Sequence, residues 1–245
     1  MEGYTFSTLV FLTALSVVTL KASAQSSLPG PCDGPNALLT LVNRPSVLDS
    51  ACVTPDKQAI LELGYNHQFL TERGTQDNLP QAEFRYGLAD LFEFAIILPN
   101  YINKSVPRGS GFAPTTLSIK KELVATPKWI STVEGLVTLP SGSYAYGAQG
   151  PGAAFNSINS YTITTEIAVT TMLGVSSLSE PVLSGGHSFL SINPIVLVSW
   201  TKNKTSLYGE ISGQSKTGFA QGSGFNLDMG VIYLLKKTIS IDFEV

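Results

Sequence analysis

Hydrophobic and polar residues alternate along most of this chain, segment after segment. Ala59, Leu61, Leu63, Tyr65, His67 and Phe69 share one face, and Gln58, Glu62, Gly64, Asn66 and Gln68 share the other, with Ile60 the exception. A period of two with one apolar face is a strand signal. The pattern returns where Ala82, Phe84 and Tyr86 alternate with Glu83 and Arg85, and where Phe92, Phe94, Ile96 and Leu98 alternate with Glu93 and Ala95. It returns again at Trp129, Val133, Val137 and Leu139 against Thr132, Glu134 and Thr138. Three later segments repeat it, at 161–170, 225–233 and 239–245. Any one of these proves little, and the repetition carries the argument.

The links between these segments differ in kind. Short ones fall at Leu88–Asp90, Ala125–Pro127, Lys202–Lys204 and Leu235–Lys237, and longer ones rich in Gly, Ser and Asn fall at 70–80, 99–113, 140–160 and 214–223. Short turns alternating with long loops are the signature of an outer-membrane barrel, whose short turns face the periplasm. Loop parity also requires a strand between the one starting at Tyr161 and the one at 189–201, and Gly174–Leu178 is the candidate. The expected count is then about eleven, whereas single-chain bacterial barrels have even numbers. On that expectation the chain is one strand short at Val245, and it lacks the terminal Phe or Trp on which such barrels usually end.

A soluble β-sandwich would show the same alternation, so what lies on the polar faces matters. Charged residues are 13% of the chain, the net charge is −3, and Gly numbers 22. The polar faces carry Thr, Ser, Gly and single acids rather than the Lys of a wetted sheet. That favours an inverted pattern, apolar outward to lipid and polar inward to a lumen. The expected fold class is an all-β, antiparallel transmembrane β-barrel of about eleven to twelve strands in the outer membrane.

The first 24 residues read as an export leader. Tyr4 to Leu20 is an apolar run, and Ala22-Ser23-Ala24 supplies a small-residue cleavage pattern, although Glu2 stands where a base is usual. Localisation in the outer membrane after leader cleavage is the expectation. The expected divisions are then 1–24 leader, 25–57 loop-rich segment and 58–245 barrel. The two cysteines, Cys32 and Cys52, fit one disulfide in an oxidising compartment, which would stabilise the segment by roughly 3 kcal/mol; two inert thiols are the alternative. Within 25–57 the apolar stretch Ala37–Val42 suggests a plug folded into the lumen and stapled by that disulfide, with a periplasmic cap as the plainer alternative.

Several motifs in order resemble a known family. They are Gln81-Ala-Glu-Phe-Arg-Tyr-Gly-Leu-Ala-Asp-Leu-Phe-Glu-Phe94, Leu98-Pro-Asn-Tyr101, Pro114-Thr-Thr-Leu-Ser-Ile-Lys120, Gly135-Leu-Val-Thr-Leu-Pro-Ser-Gly-Ser143, Ser206-Leu-Tyr-Gly-Glu210 and Ile241-Asp242. Together they resemble the outer-membrane transporter family of the MetA pathway of phenol degradation, over about 60 to 243. The resemblance implies a roughly twelve-stranded barrel and uptake or efflux of small, aromatic or hydrophobic molecules.

The alternation assigns Glu62, Glu83, Arg85, Glu93, Glu134, Glu166, Glu210 and Asp228 to the lumen lining. Such charges either pair as a structural cluster filling the barrel or stay wet as a lining that guides solute. A net acidic lumen would favour cations or neutral polar solutes over anions. Two cysteines and two histidines at these spacings make no zinc site, and no cofactor is expected. An enzyme is not expected: His67 and His187 are the only histidines, and no Gly-x-Ser-x-Gly elbow accompanies them. Expected partners are the lipid bilayer, the barrel-assembly machinery and a small-molecule solute, with a homo-oligomer open and no nucleic acid. A non-conducting structural or adhesion barrel is the second reading and an outer-membrane barrel hydrolase the third.

Overall fold

The structure is a computed structural model, and it describes residues 9–19, 30–70 and 74–245. It is all-β and antiparallel. In chain order the strands are β1 (Leu9–Thr19), β2 (Ala59–Phe69), β3 (Thr75–Leu88), β4 (Phe92–Ile97), β5 (Tyr101–Ser105), β6 (Arg108–Phe112), β7 (Thr116–Ala125) and β8 (Trp129–Thr138). They continue as β9 (Gly152–Thr162), β10 (Ile167–Ser179), β11 (Ser188–Lys202), β12 (Thr205–Gln214), β13 (Gly224–Lys236) and β14 (Ile239–Glu244). The one short α-helix is α1 (Leu38–Leu41). No helix among the described residues is long and apolar enough to cross a membrane.

Eleven strands form a continuous wall, β2 to β3 to β4 to β7 and then in sequence order to β14. The connections alternate strictly. Tight turns sit at 89–91, 126–128, 163–166, 203–204 and 237–238, and longer links sit at 98–115, 139–151, 180–187 and 215–223, with β2 followed by β3 from Thr75. All tight turns therefore lie at one end of the wall, because each strand reverses direction.

The inside and outside of the wall are inverted relative to a soluble sheet. Leu173, Val175, Ile192, Val196, Ile211 and Leu227 stand exposed on the outer face, while Glu62, Arg85, Lys120 and Glu244 are fully buried on the inner one. Aromatic residues mark both rims of the outer face. Phe92, Trp129, Tyr161, Trp200 and Tyr233 lie near the tight turns, and Phe69, Tyr101, Phe112 and Phe225 lie near the long loops. An apolar belt between aromatic girdles is the outer surface expected of strands that cross a bilayer.

Three expectations from the sequence need correction. The stretch 161–170 is not one strand, and 140–160 is not one loop, since β9 ends at Thr162 and β10 begins at Ile167. Thr164 closes the turn, its Oγ1 accepting from the backbone N–H of Glu166 (3.2 Å) and Ile167 (3.0 Å). Ile163 and Ile167 are an even number of residues apart, so the apolar parity runs straight through the turn and hides it. Link 99–113 is a hairpin, β5 with β6, that extends β3 beyond the wall and is held by an edge-on Tyr101–Phe112 pair 5.3 Å apart. Link 70–80 is shorter than expected, because β3 starts at Thr75.

The fourth difference concerns the leader. Leu9–Thr19 pairs antiparallel with both β2 and β14, in the slot between the two ends of the wall. Both edges there carry rows of backbone N–H and C=O groups that need partners, and a run of Leu, Val, Thr and Phe suits a strand. The cleavage pattern at Ala22–Ala24 lies outside the described residues.

Residues 30–57 lie inside the wall. Their apolar side, Leu38, Leu39, Leu41, Val42 and Leu48, packs on Ile130, Ile158, Met172, Ile195, Leu197 and Ile232 of β8 to β13. Asn36 donates to the carbonyl of Asn203 in a tight turn (2.5 Å), which puts the start of the segment at the tight-turn end. The segment leaves over Gly87 of β3. A Cβ there would stand 2.0 Å from the Pro55 carbonyl oxygen and 2.3 Å from that of Thr54, both backbone atoms. Gly87→Ala is expected to push the segment off β3 at this point. Limited proteolysis of purified protein should then cut within 30–57 faster than in the wild type, with the strands left intact.

Candidate functional site

The inner face of β2, β3, β4, β7 and β8 carries a cluster of charged side chains, Glu62, Glu83, Arg85, Glu93, Lys120, Glu122 and Glu134, and backbone register determines which charges meet. Glu62 stands directly opposite Glu83. Glu93 stands opposite Lys120, Lys120 opposite Glu134, and Glu134 opposite Asn156, so one polar row crosses four strands. Arg85 lies one diagonal step from both Glu62 and Glu93, and its guanidinium joins them.

That guanidinium has five N–H donors, and each has an acceptor. Nε and Nη2 donate to the two carboxylate oxygens of Glu93, both at 2.9 Å. Nη1 donates to Glu62 (3.0 Å) and to the carbonyl of Leu41, and Nη2 also donates to the carbonyl of Cys52 (3.4 Å). Arg85 therefore ties two wall carboxylates to two carbonyls of the inner segment. Lys120 does the same on a smaller scale, reaching the Ser50 carbonyl (3.2 Å), Asn43 Oδ1 (3.4 Å) and Glu93 (3.8 Å).

The acids accept from the segment's backbone. Glu62 takes the N–H groups of Asn43 (3.1 Å) and Arg44 (2.9 Å). Glu93 takes the N–H of Thr54 (2.6 Å) and its hydroxyl (2.7 Å). Across the interior, Glu210 takes the N–H groups of Val47 (3.0 Å) and Leu48 (2.9 Å). Glu83 accepts from the Asn43 side-chain amide (3.1 Å). An irregular segment has no ladder for its own amides, and buried amides need acceptors. Charged acceptors make the stronger bonds. The disulfide Cys32–Cys52, with Cα atoms 5.6 Å apart, closes the segment on itself.

Asp49 sits in this segment beside Glu134. Burial first, and then the Glu134 carboxylate, pushes its carboxyl well above the usual carboxylate range, so its protonated form donates to Glu134. Ser118 (2.6 Å) and Asn156 (3.0 Å) supply the other donors to Glu134.

Seven of the eight residues assigned to the lumen lining are buried on the inner face: Glu62, Glu83, Arg85, Glu93, Glu134, Glu210 and Asp228. Glu166 is not among them. It lies exposed in the turn 163–166, where the Trp200 indole N–H (3.0 Å) and Lys202 (3.2 Å) hold its carboxyl below the usual range. The parity that hid this turn also misplaced Glu166. The structure adds Asn43, Asp49, Lys120, Glu122, Tyr208 and Glu244. Lys120 and Glu122 share the parity of Ser118 in β7, so that signal was present in the sequence. Tyr208 was not legible, because it spans the gap above Gly230 on β13 to reach Glu244 on β14.

The histidines sit apart from this network. His67 Nδ1 meets Asp77 at 2.7 Å on the outer side, next to Tyr65 and Phe69, and His187 stacks on Phe219 between two long loops. No hydrogen bond among the described residues brings a serine or threonine hydroxyl to either ring. No group of three or more metal-ligating side chains occurs among the described residues.

A family model described as "Putative MetA-pathway of phenol degradation" matches residues 43–245. The chain belongs to this family. The match begins at Asn43, the residue that bonds both Glu62 and Glu83, and takes in every wall strand after it. No curated protein matches the chain.

Arg85→Leu would leave Glu62 buried without its cation and Glu93 with Lys120 alone, at 3.8 Å, and breaking a buried pair in this way costs about 3–5 kcal/mol. Chemical unfolding in detergent should show a loss of that order. The outward neighbour change Phe84→Leu should cost far less.

Proposed function

We propose that this protein is a non-enzymatic outer-membrane β-barrel for the passage of small molecules, with residues 30–57 as its plug. The observation that carries the reading is the inversion of the wall: apolar residues between aromatic rims outside, ionised groups inside. Family membership supports a role in a phenol-degradation pathway and agrees with such a barrel. The alternation of tight turns and long loops supports a periplasmic and an outer end. The partners in this reading are the bilayer, the machinery that inserts barrels, and the solute.

The acids of β2 to β8 are fastened to the plug and are not a wet lining that attracts cations. That observation also favours a second reading, a non-conducting structural barrel with a filled interior.

Export by a leader at 1–24 and retention of Leu9–Thr19 as a wall strand exclude each other, and the mass of the purified protein decides between them. Reconstitution into liposomes tests the function. The intact chain is expected to admit small uncharged solutes slowly, and deletion of residues 30–55 to raise solute-driven swelling and conductance strongly. Unchanged conductance after the deletion would remove the plug. No swelling by either form would leave the structural barrel.

A further inference from the structure

The interior is divided by charge. The inner faces of β2 to β8 carry Glu62, Glu83, Arg85, Glu93, Lys120, Glu122 and Glu134, and those of β12 to β14 carry Glu210, Asp228 and Glu244. Between them, β9, β10 and β11 contain no Asp, Glu, Lys or Arg except Lys202 at the last turn. Their inward side chains are hydroxyls, amides and aliphatic groups such as Ile158, Met172, Ile195 and Leu197.

Against this uncharged arc, and between it and the plug, lies a cavity of about 110 Å3. Its wall side is lined with Ser160, Thr162, Thr170, Ser199, Thr201 and Ser206, all within a few residues of the tight turns. Its other side is formed by the plug, apolar at Leu39, Val42 and Leu48 and polar at Thr40, Ser46 and Ser50, and Leu197 of β11 adds an apolar patch on the wall. The hydroxyls pair with one another across strands, Thr170 with Ser160 and Thr201 with Ser206, both at 2.9 Å. Such pairs keep a spare lone pair or a rotatable proton for a guest. An engineered apolar cavity of about 150 Å3 holds benzene, so this one suits a guest of similar or slightly smaller size.

We propose that this cavity is a binding site for small uncharged molecules that combine an apolar ring or chain with one or two hydroxyl or carbonyl groups. The apolar body rests on Leu39, Val42, Leu48 and Leu197, and the polar group meets the Ser and Thr hydroxyls. An ion is rejected, because no counter-charge lines the site and a buried unpaired charge is costly. The site rests on the passage reading only in requiring that solute reach the interior. It places the route along β9 to β11, away from the acids that the plug covers.

Cyclopentanol is the probe, with cyclopentylammonium and cyclopropanecarboxylate as charged counterparts of about the same size. Binding is read by saturation-transfer NMR on the full chain in amphipol, against empty amphipol. The Ser199→Cys variant can be labelled with phenylmaleimide after folding, because Cys32 and Cys52 are both in the disulfide. Val198→Cys, one residue away on the exposed outer face, is the labelling control. Cyclopentanol should bind the unlabelled protein and the labelled control about tenfold more tightly than its charged counterparts, a difference of about 1.4 kcal/mol. Labelling Ser199→Cys should abolish binding. Equal binding of the charged probes, or binding that survives the label at Ser199→Cys, would overturn the site. Solute flux in liposomes is measured on the same preparation. Flux without cyclopentanol binding overturns this site and leaves the passage, whereas binding without flux supports the site and overturns the passage.

Discussion

An ionised group inside a protein must be met by charges and hydrogen bonds that replace its water, and Arg85 is where this chain meets that demand most completely. Its five donors reach two wall carboxylates and two carbonyls of the inner segment, with Glu93 taken by both of its oxygens. Loss of one partner would strand the others. The wall and the segment are therefore bonded to each other at several fixed points. Acids on β2, β4 and β12 serve as acceptors for amides at Asn43, Arg44, Val47, Leu48 and Thr54 that have no ladder of their own. The ladder of the wall holds the acids at fixed spacing, and the segment is folded to match them.

Alternation made most of the wall legible in the sequence. The apolar outward face, the short turns at 89–91, 126–128, 203–204 and 237–238, and the wall strands other than β9, which falls in the stretch read as the loop 140–160, follow from period two and from loop composition. Parity also placed Glu83, Arg85 and Glu93 on one face across a tight turn, which is the heart of the network. It failed at Thr164, where a four-residue turn preserves the parity and so leaves no break in the pattern. What the sequence could not express is pairing across strands. Neither the reach of Tyr208 over Gly230 to Glu244 nor the meeting of Asn43 with Glu62 and Glu83 has a local signal. The same holds for Leu9–Thr19, since an apolar run of Leu, Val and Thr reads equally well as an export signal and as a strand.

The inner segment is two-faced, and this organises the interior. Its polar side, centred on Asn43, Ser50 and Thr54, fastens to the charged strands, and its apolar side, from Leu38 to Val42 with Leu48, rests on the neutral ones. Hydrogen bonds to charged groups hold the first side at fixed points. The second is held by non-directional packing, and the cavity lies there. The segment is thus fastened at fixed points on one side and packed on apolar side chains on the other.

Amide hydrogen exchange of the full chain in a bilayer tests this account most directly. The amides of Asn43, Arg44, Val47, Leu48 and Thr54 lie in irregular structure, yet each donates to a buried carboxylate. The account predicts that they exchange as slowly as the amides of β3 and β4, and that Arg85→Leu accelerates those of Asn43, Arg44 and Thr54. Exchange at the rate of the exposed loop 215–223 in the wild type would contradict it.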